Sequence, residues 1–526
     1  METEDAGRPG RRWVRAEAVA VAVPAAVMFA LGLWGLDRGG MWGDESVTYL
    51  VGRRTVPQIW RLLHTVDAVH GLYYLLMHAV LAAHPGEVVL RLPSVFGAAA
   101  ATALVAALGT RLSRPRVGLW AGLLYAITPM TGHYAQEGRS YALVAAGVAG
   151  ATLLLLRAVD GRPAPRRWWL YGGVLAATCL LHELAVLVLC AHAATLASAR
   201  VPRAVWAGWA RASGAAALVL LPLAWVSQAQ SGQVAWLRTP GWANVEGLAR
   251  CFAVGRTGVV FWGYVALVVV GIGAGRLASV ALPLLVLPPA ILMLASQVQP
   301  LYDDRYVLYA LAGAPLLAAA GADRVVTVAG RLWRRAPRRP YPRRPYPHPV
   351  TLTGVLVIAV VFVACLPLQL KNRSADHRPE NLAAVSAVVA RQARPGDAVL
   401  YLPSVWRVGA LAYPRGFRGA RDVALAESGA RSGTLSGLEA PPGEVRRRLA
   451  SVRRVWVVAP AYVLNSRRSP ANPTERLKLA LVERHFKPVE DFETGRITLG
   501  LYVRREAPST GAPNHLPPPS TTPRHR

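Results

Sequence analysis

About eleven apolar stretches succeed one another along this chain, most of them approaching the ~20 residues that a helix needs to cross a bilayer. They lie near residues 17–36, 93–110, 117–130, 140–156, 168–181, 183–199, 205–226, 257–275, 278–297, 306–322 and 350–370. Mean hydropathy is positive, and charge is sparse before residue 370. Lipid offers no partner to an open backbone, so such segments fold as helices. A polytopic α-helical membrane protein is predicted, of about eleven spans. The first stretch is long and has no convincing cleavage site, which predicts a retained anchor and not a removed signal peptide.

The net charge of +30 invites a nucleic-acid reading, but its distribution argues against one. Basic residues gather between the apolar stretches: Arg8, Arg11, Arg12 and Arg15; Arg111, Arg114 and Arg116; Arg157, Arg162, Arg166 and Arg167; Arg200 and Arg203. The longest run, Arg331 to Arg344, lies in a Pro-rich linker. Basic residues beside spans mark the cytoplasmic side and can touch anionic headgroups of membrane lipids. No nucleic-acid partner is expected. The excess of Arg over Lys, with abundant Ala and Gly, hints at a high-GC bacterial genome. Cys179, Cys190, Cys251 and Cys365 show neither metal-like spacing nor a disulfide framework; the first two and the last read as small core residues within spans.

With the N-terminus in the cytoplasm, the apolar segment Gly71–His84, only about fourteen residues long, is too short to cross comfortably. Laying it along the outer surface puts every basic cluster inside. Residues 37–92 then form a long outer loop, and Thr131–Arg139, Ser227–Arg256 and Gln299–Arg305 also lie outside. The linker 331–349 is cytoplasmic, and the chain after residue 370 is outside again. Four polar segments are thus expected on one face. Beyond residue 370, Glu380–Arg391 and Leu477–Phe486 read as helices, and Asp397–Leu402, Ser451–Val458 and Ile497–Val503 as strands. The expected organisation is a cytoplasmic N-terminus (1–16), a membrane catalytic domain (17–370), a small extracytoplasmic α/β domain (371–506) and a disordered Pro/Ser/Thr-rich tail (507–526).

Chemistry-bearing residues concentrate in the outer segments. Asp44 and Glu45 follow the first stretch in the run Leu36-Asp37-Arg38-Gly39-Gly40-Met41-Trp42-Gly43-Asp44-Glu45-Ser46. They read either as a general base and its neighbour or as solvated loop charge. A second segment, His133 to Leu143, and a third, Tyr302-Asp303-Asp304-Arg305-Tyr306, place acidic, basic and aromatic groups where spans begin. Cations at such positions can also snorkel to the interface. Trp42, Tyr73, Tyr74 and Tyr134 fit a sugar or lipid cleft and equally an interfacial aromatic belt. His182-Glu183 at an outer turn reads as a substrate contact or a satisfied polar pair. The spacing of His64, His70 and His133 is not a zinc signature.

The order of these segments resembles the GT-C glycosyltransferases, nearest the protein O-mannosyltransferase and aminoarabinose-transferase group (glycosyltransferase family 39-like). The residues carrying the resemblance are Asp44-Glu45, His70-Gly71-Leu72-Tyr73-Tyr74, Arg91-Leu92-Pro93-Ser94, Gln136-Glu137-Gly138-Arg139-Ser140-Tyr141-Ala142-Leu143 and Asp304-Arg305-Tyr306. It covers roughly residues 17–370. Gly71 stands where that group commonly has Pro, and Gly138 where it has Ala; neither change removes a chemical group. The region after residue 370 matches no domain of that group.

The resemblance implies transfer of a sugar, mannose foremost, from a polyprenyl-phosphate donor to an envelope glycan, lipid or protein acceptor outside the cell membrane. It implies Asp44 as the general base that takes the acceptor's proton, with Glu45 orienting it. Arg139, Arg305 and Arg91 are the implied phosphate contacts, since a guanidinium offers phosphate two parallel donors. His70, Tyr74 and Glu137 are implied to touch substrate. One base opposite the leaving group implies inversion at the anomeric carbon. A monophosphate carrier can be served by arginines, so neither metal nor cofactor is expected. A transporter or flippase of lipid-linked sugars, or an inactive envelope-assembly scaffold, would use the same fold. Transporters, however, hold charges near the midplane and show repeated halves, whereas these charges sit at span ends.

Overall fold

The structure, a computed structural model, describes residues 9–161, 164–255, 258–335, 348–464, 470 and 472–505. The expected disordered tail at 507–526 and most of the Arg/Pro linker lie outside the described residues, as do the first eight residues.

Each of the eleven apolar stretches contains a helix. Six helices are long and apolar enough to cross a membrane alone: Arg15–Leu33, Glu87–Leu112, Tyr141–Asp160, Arg203–Ala229, Arg276–Ala295 and Asp304–Leu332. A seventh crossing exists if Val350–Ala364 and Leu366–Asn372, which meet at a 55° bend, act together. The other four stretches form Pro115–Ile127 with 13 residues, Pro165–Leu181 with 17, Val188–Ser198 with 11 and Gly258–Gly271 with 14. At ~1.5 Å per residue these rise about 16–26 Å, less than the ~30 Å hydrocarbon core. The chain is a multi-pass membrane protein with six or seven helices of spanning length among the described residues, and a count of eleven is not established.

Small residues let the helices approach closely, as bundle packing in lipid requires. A Cβ on Gly321 would stand 1.9 Å from the Leu267 carbonyl oxygen on the facing helix. Polar groups partition to opposite ends. Glu87–Leu112 carries Arg91 near its start and Arg111 near its end, about 30 Å apart. At the Arg111 end, Asp160 pairs with Arg111 (2.9 Å) and with Arg276, while Asp323 pairs with Arg116 (2.5 Å) and with Arg114. These basic clusters are the ones assigned to the cytoplasmic side, and the acidic pair lies at the other end of the same helices. Of the cysteines read as core, Cys179 is buried but Cys190 is exposed: its helix turns that face outward, where lipid suits an apolar thiol as well as a core does.

The short helix Gly71–Ala83 buries Tyr73, Tyr74, Met77 and Leu81 while leaving Leu72, Leu75 and Leu76 exposed. An element apolar on both faces suits a position between protein and lipid.

After residue 372 the chain builds a soluble α/β unit. The strands are β1 (Ala398–Tyr401), β2 (Arg421–Asp422), β3 (Leu425–Glu427), β4 (Leu438–Glu439), β5 (Arg454–Ala459), β6 (Phe486–Thr494) and β7 (Ile497–Arg504). Five form one sheet in the order β2-β1-β5-β7-β6, with β1 parallel to β2 and β5, and β7 antiparallel to β5 and β6. The three expected strands (β1, β5 and β7) and both expected helices are present; the short strands β2, β3 and β4 were not expected, and neither was the long β6. It is an edge strand carrying Pro488 and exposed Glu490, Asp491 and Glu493, the charged, proline-bearing sequence that edges tolerate and that masks strand alternation.

This unit is bolted to the segment between the first two long apolar helices. Arg54 Nη2 donates to the Thr434 carbonyl at 2.8 Å, Arg61 to the Arg431 carbonyl at 3.0 Å, and Thr65 Oγ1 to the Gly433 carbonyl at 2.5 Å. Nearer the first span, Arg373 donates to the carbonyls of Leu31 and Trp34 and to Gln369 Oε1.

Candidate functional site

Helix Gly43–Gly52 begins at the extended residue Trp42 and carries Asp44 and Glu45 in its first turn, where the helix dipole favours negative charge. Neighbours on a helix point about 100° apart, so the two carboxylates face different surroundings. Glu45 enters the core with its side chain 0% exposed, whereas Asp44 stays 34% exposed.

Glu45 is sealed. Arg91, also fully buried, donates to it through Nε (2.9 Å) and Nη2 (3.0 Å). The Gly138 amide adds a third bond at 2.9 Å, and Arg378 stands 3.9 Å away. Burial pushes the Glu45 carboxyl up, but Arg378, Arg91 and the Gly138 amide outweigh it and hold the carboxyl below its usual range. Arg91's other donors go to the backbone carbonyls of Leu36, Arg38, Gly39 and Gly40. Arg91 therefore ties the chain leading into the acidic helix and presents no free face to a phosphate, contrary to the contact inferred from its sequence position. A Cβ on Gly138 would approach Leu90 Cγ to 2.7 Å, which accounts for glycine there.

Asp44 faces the opening. Its Oδ2 accepts from Arg305 Nη1 at 2.9 Å, a pairing across 261 positions of chain. The Arg305 guanidinium lies 5.6–5.9 Å from the ring centroids of Trp42, Tyr141 and Tyr306. Its Nε, 3.5 Å from Asp303, is buried without a hydrogen-bond acceptor. An arginine clasped by three aromatic faces and flanked by Asp44 and Asp303 is fixed in place.

A second arginine lies alongside. Arg139 Nη2 donates to His70 Nε2 at 2.6 Å, and its Nη1 stands 3.4 Å from Thr48 Oγ1. Burial and the Arg139 charge drive the His70 pKa far down, so the ring is neutral with its proton on Nδ1, a buried atom that meets no acceptor. Tyr74, beneath His70 at 5.9 Å between ring centroids, donates to Asp67 Oδ2 at 2.7 Å. Tyr74 thus holds a loop residue of left-handed conformation (φ 59°). His182 stacks near Tyr306 and Tyr141, is kept neutral by burial with a pKa lowered to about 3, and also leaves Nδ1 unpartnered.

Glu137 completes the group. Its Oε1 is buried without a donor, and burial, only partly offset by Arg305, raises its pKa to about 7. Its Oε2 lies 3.6 Å from His133 Nε2, but burial lowers His133 to about 3, so the two are not an ion pair near neutrality. His133 and Tyr134 line a cavity of about 190 Å³ with Asp304 and His377.

The structure brings together Asp44, Arg305, Arg139, His70 and Glu137, with Glu45 and Arg91 directly behind them. The three candidate histidines do not converge: His64 bonds its own helix at the Trp60 carbonyl. Among the described residues no group of three or more His, Cys, Asp or Glu could hold a metal ion. Three contributors were missed. Arg378, besides facing Glu45, donates to the Gln136 carbonyl at 2.9 Å. Glu380 Oε2 accepts from the Gly43 amide at 3.3 Å. Tyr413 Oη accepts from the Met41 amide at 2.6 Å and donates to Glu87. All three come from the soluble unit; Arg378 and Glu380 stand in a charged run just past the last span, a signal that could have found them, whereas nothing in the sequence marks Tyr413.

No family model and no curated protein matches this sequence. The fold does match solved structures. Apo ArnT from Cupriavidus metallidurans aligns with a TM-score of 0.56 at 13% identity, over 94% of this chain and 98% of that chain. ArnT bound to undecaprenyl phosphate gives 0.52 at 14% identity, over 93% and 98%. The apo oligosaccharyltransferase of Archaeoglobus fulgidus gives 0.51 at 11% identity, over 95% and 75%. These neighbours are GT-C membrane glycosyltransferases, and likeness at such identity establishes a shared fold.

Proposed function

We propose, from the GT-C fold and the pairing of Asp44 with Arg305, that this chain is a membrane glycosyltransferase. It moves a sugar, mannose or a similar one, from a polyprenyl-phosphate donor to an acceptor hydroxyl at the outer face of the cell membrane, with its N-terminus in the cytoplasm. The observation that carries this reading is a half-buried carboxylate held at 2.9 Å by an arginine that three aromatic rings fix in place.

The donor phosphate competes with Asp44 for Arg305, and Arg139 supplies a second cation. Binding of the phosphate therefore frees the carboxylate at the moment the acceptor arrives. The acceptor oxygen attacks the anomeric carbon, its proton passes to Asp44, and the bond to the phosphate oxygen breaks. The polyprenyl phosphate leaves with the electron pair, its growing charge met by the two guanidinium groups. Attack from the face opposite the leaving group inverts the anomeric centre. Glu45 and Arg91 are positioning residues: they fix the helix that carries Asp44. His70, neutral, has an Nδ1–H donor without an acceptor, His182 has an unpartnered Nδ1, and Glu137 offers an unused oxygen.

Purified protein is offered a panel of radiolabelled polyprenyl-phosphate sugars with envelope extract as acceptor. Transfer by wild type and its loss in Asp44→Asn support the reading. Flipping of donor across liposomes with no transfer supports a transporter, and neither activity supports a scaffold.

A further inference from the structure

The soluble unit has a cleft that the mechanism above does not use. It encloses about 590 Å³ and is lined by Glu380, Trp406, Tyr462 and Arg496, with Pro460 and Gly495. Its place in the sheet is informative. Trp406 follows the carboxyl end of β1, and Pro460 to Tyr462 follow the carboxyl end of the adjacent parallel strand β5. From β1 the chain goes to β2 on one side; from β5 it goes to β6 and β7 on the other. Such a divergence of connections opens a crevice outside the strand ends, where ligands bind in open α/β sheets. The β6–β7 turn closes the third side, fastened by the Arg496 amide to the Pro379 carbonyl at 3.0 Å.

The lining and the location say what the crevice takes. Tyr462 is 53% exposed and Trp406 is half-buried, so both offer apolar ring faces beside a carboxylate and a guanidinium. Ring faces that stack on C–H surfaces, next to groups that bond paired hydroxyls, suit a carbohydrate. The volume is that of a small-molecule site. Glu380, on the wall, accepts from the amide of Gly43, the residue before Asp44. We propose that this crevice is the acceptor subsite and that the acceptor it holds is a glycan, presented to Asp44 across Glu380. The inference rests on the transferase reading, whose acceptor class it names.

Saturation-transfer NMR on the full-length protein in detergent, without donor, tests it. The probes are methyl α-mannoside, methyl α-arabinofuranoside and α-1,6-mannobiose, with short Ser/Thr-containing peptides for comparison. Saturation of at least one glycoside is expected. It should weaken about tenfold or more in Tyr462→Ala and in Arg496→Gln. Because Tyr462 and Arg496 stand at the surface, loss in both variants with unchanged thermal melting points to the crevice and not to misfolding. Binding of peptides alone, binding of nothing, or glycoside binding indifferent to both variants overturns the inference. If donor is still turned over in those cases, the transferase reading stands while the glycan assignment falls. Glycoside binding in a protein that turns over no donor has the opposite meaning.

Discussion

Arg305 and Asp44, separated by 261 positions, meet at 2.9 Å at the ends of two helices, with Trp42, Tyr141 and Tyr306 around the guanidinium. In the proposed transfer, the aromatic clasp keeps the arginine from following the departing phosphate, so its charge is already in position when the leaving group needs it. Preorganised charge of this kind is worth roughly 3–4 kcal/mol of barrier per group. Arg305→Ala is expected to lower kcat/KM for donor by about 100–1,000-fold. Arg305→Lys keeps the charge but not the planar fork, and should recover only part of that loss. Steady-state kinetics at varied donor concentration measure both.

The buried pair Glu45–Arg91 makes a different prediction. Removing one partner strands a charge in a fully buried site, at a cost of about 3–5 kcal/mol. Glu45→Gln and Arg91→Met should each lower the denaturation midpoint in detergent sharply. The double variant Glu45→Leu/Arg91→Met should lose clearly less than the two single losses combined. Additive losses would mean the two residues act independently.

Glu137 sets a pH dependence. Its folded pKa of about 7 lies above the ordinary carboxylate value, so the folded protein holds a proton that the unfolded chain releases. Between about pH 4.5 and 7, stability therefore falls as pH rises, by about 3 kcal/mol in total. Below that window both states are protonated and the dependence vanishes. Glu137→Gln should flatten thermal melting across the window, and a wild-type curve already flat there would contradict the assignment.

Much of this arrangement was legible before the structure. Asp44, His70, Arg139 and Arg305 could be named because their segments resemble GT-C motifs in order and residue type. What was not legible was which of two adjacent carboxylates faces inward, since that depends on where helix Gly43–Gly52 starts and on Arg91 lying behind it. The contributions of Arg378, Glu380 and Tyr413 were hidden for a related reason. Each is an ordinary loop or helix residue in its own segment, and only docking of the soluble unit brings it to the acidic helix. The number of full crossings also depends on tertiary packing, because helices of 11–17 residues are held by their neighbours whether or not they span.

Docking itself is testable. Tyr413 Oη accepts from the Met41 amide and donates to Glu87, joining the soluble unit to the chain just before Asp44. Tyr413→Phe removes both bonds, about 1–3 kcal/mol if the amide is left without a partner. Hydrogen exchange should accelerate at Met41 and its neighbours while the rest of the soluble unit keeps its protection. Unchanged exchange at Met41 would show that the tyrosine does not anchor this loop.

The account centres on Asp44 as the base of an outward-facing sugar transfer, and one comparison reaches it most directly. Wild type and Asp44→Asn, matched in expression and thermal melting, are assayed for label passing from polyprenyl-phosphate sugars to envelope acceptor. The account predicts transfer by wild type and a loss of at least about a hundredfold in the variant, with donor binding retained. Transfer by Asp44→Asn at the wild-type rate would contradict it.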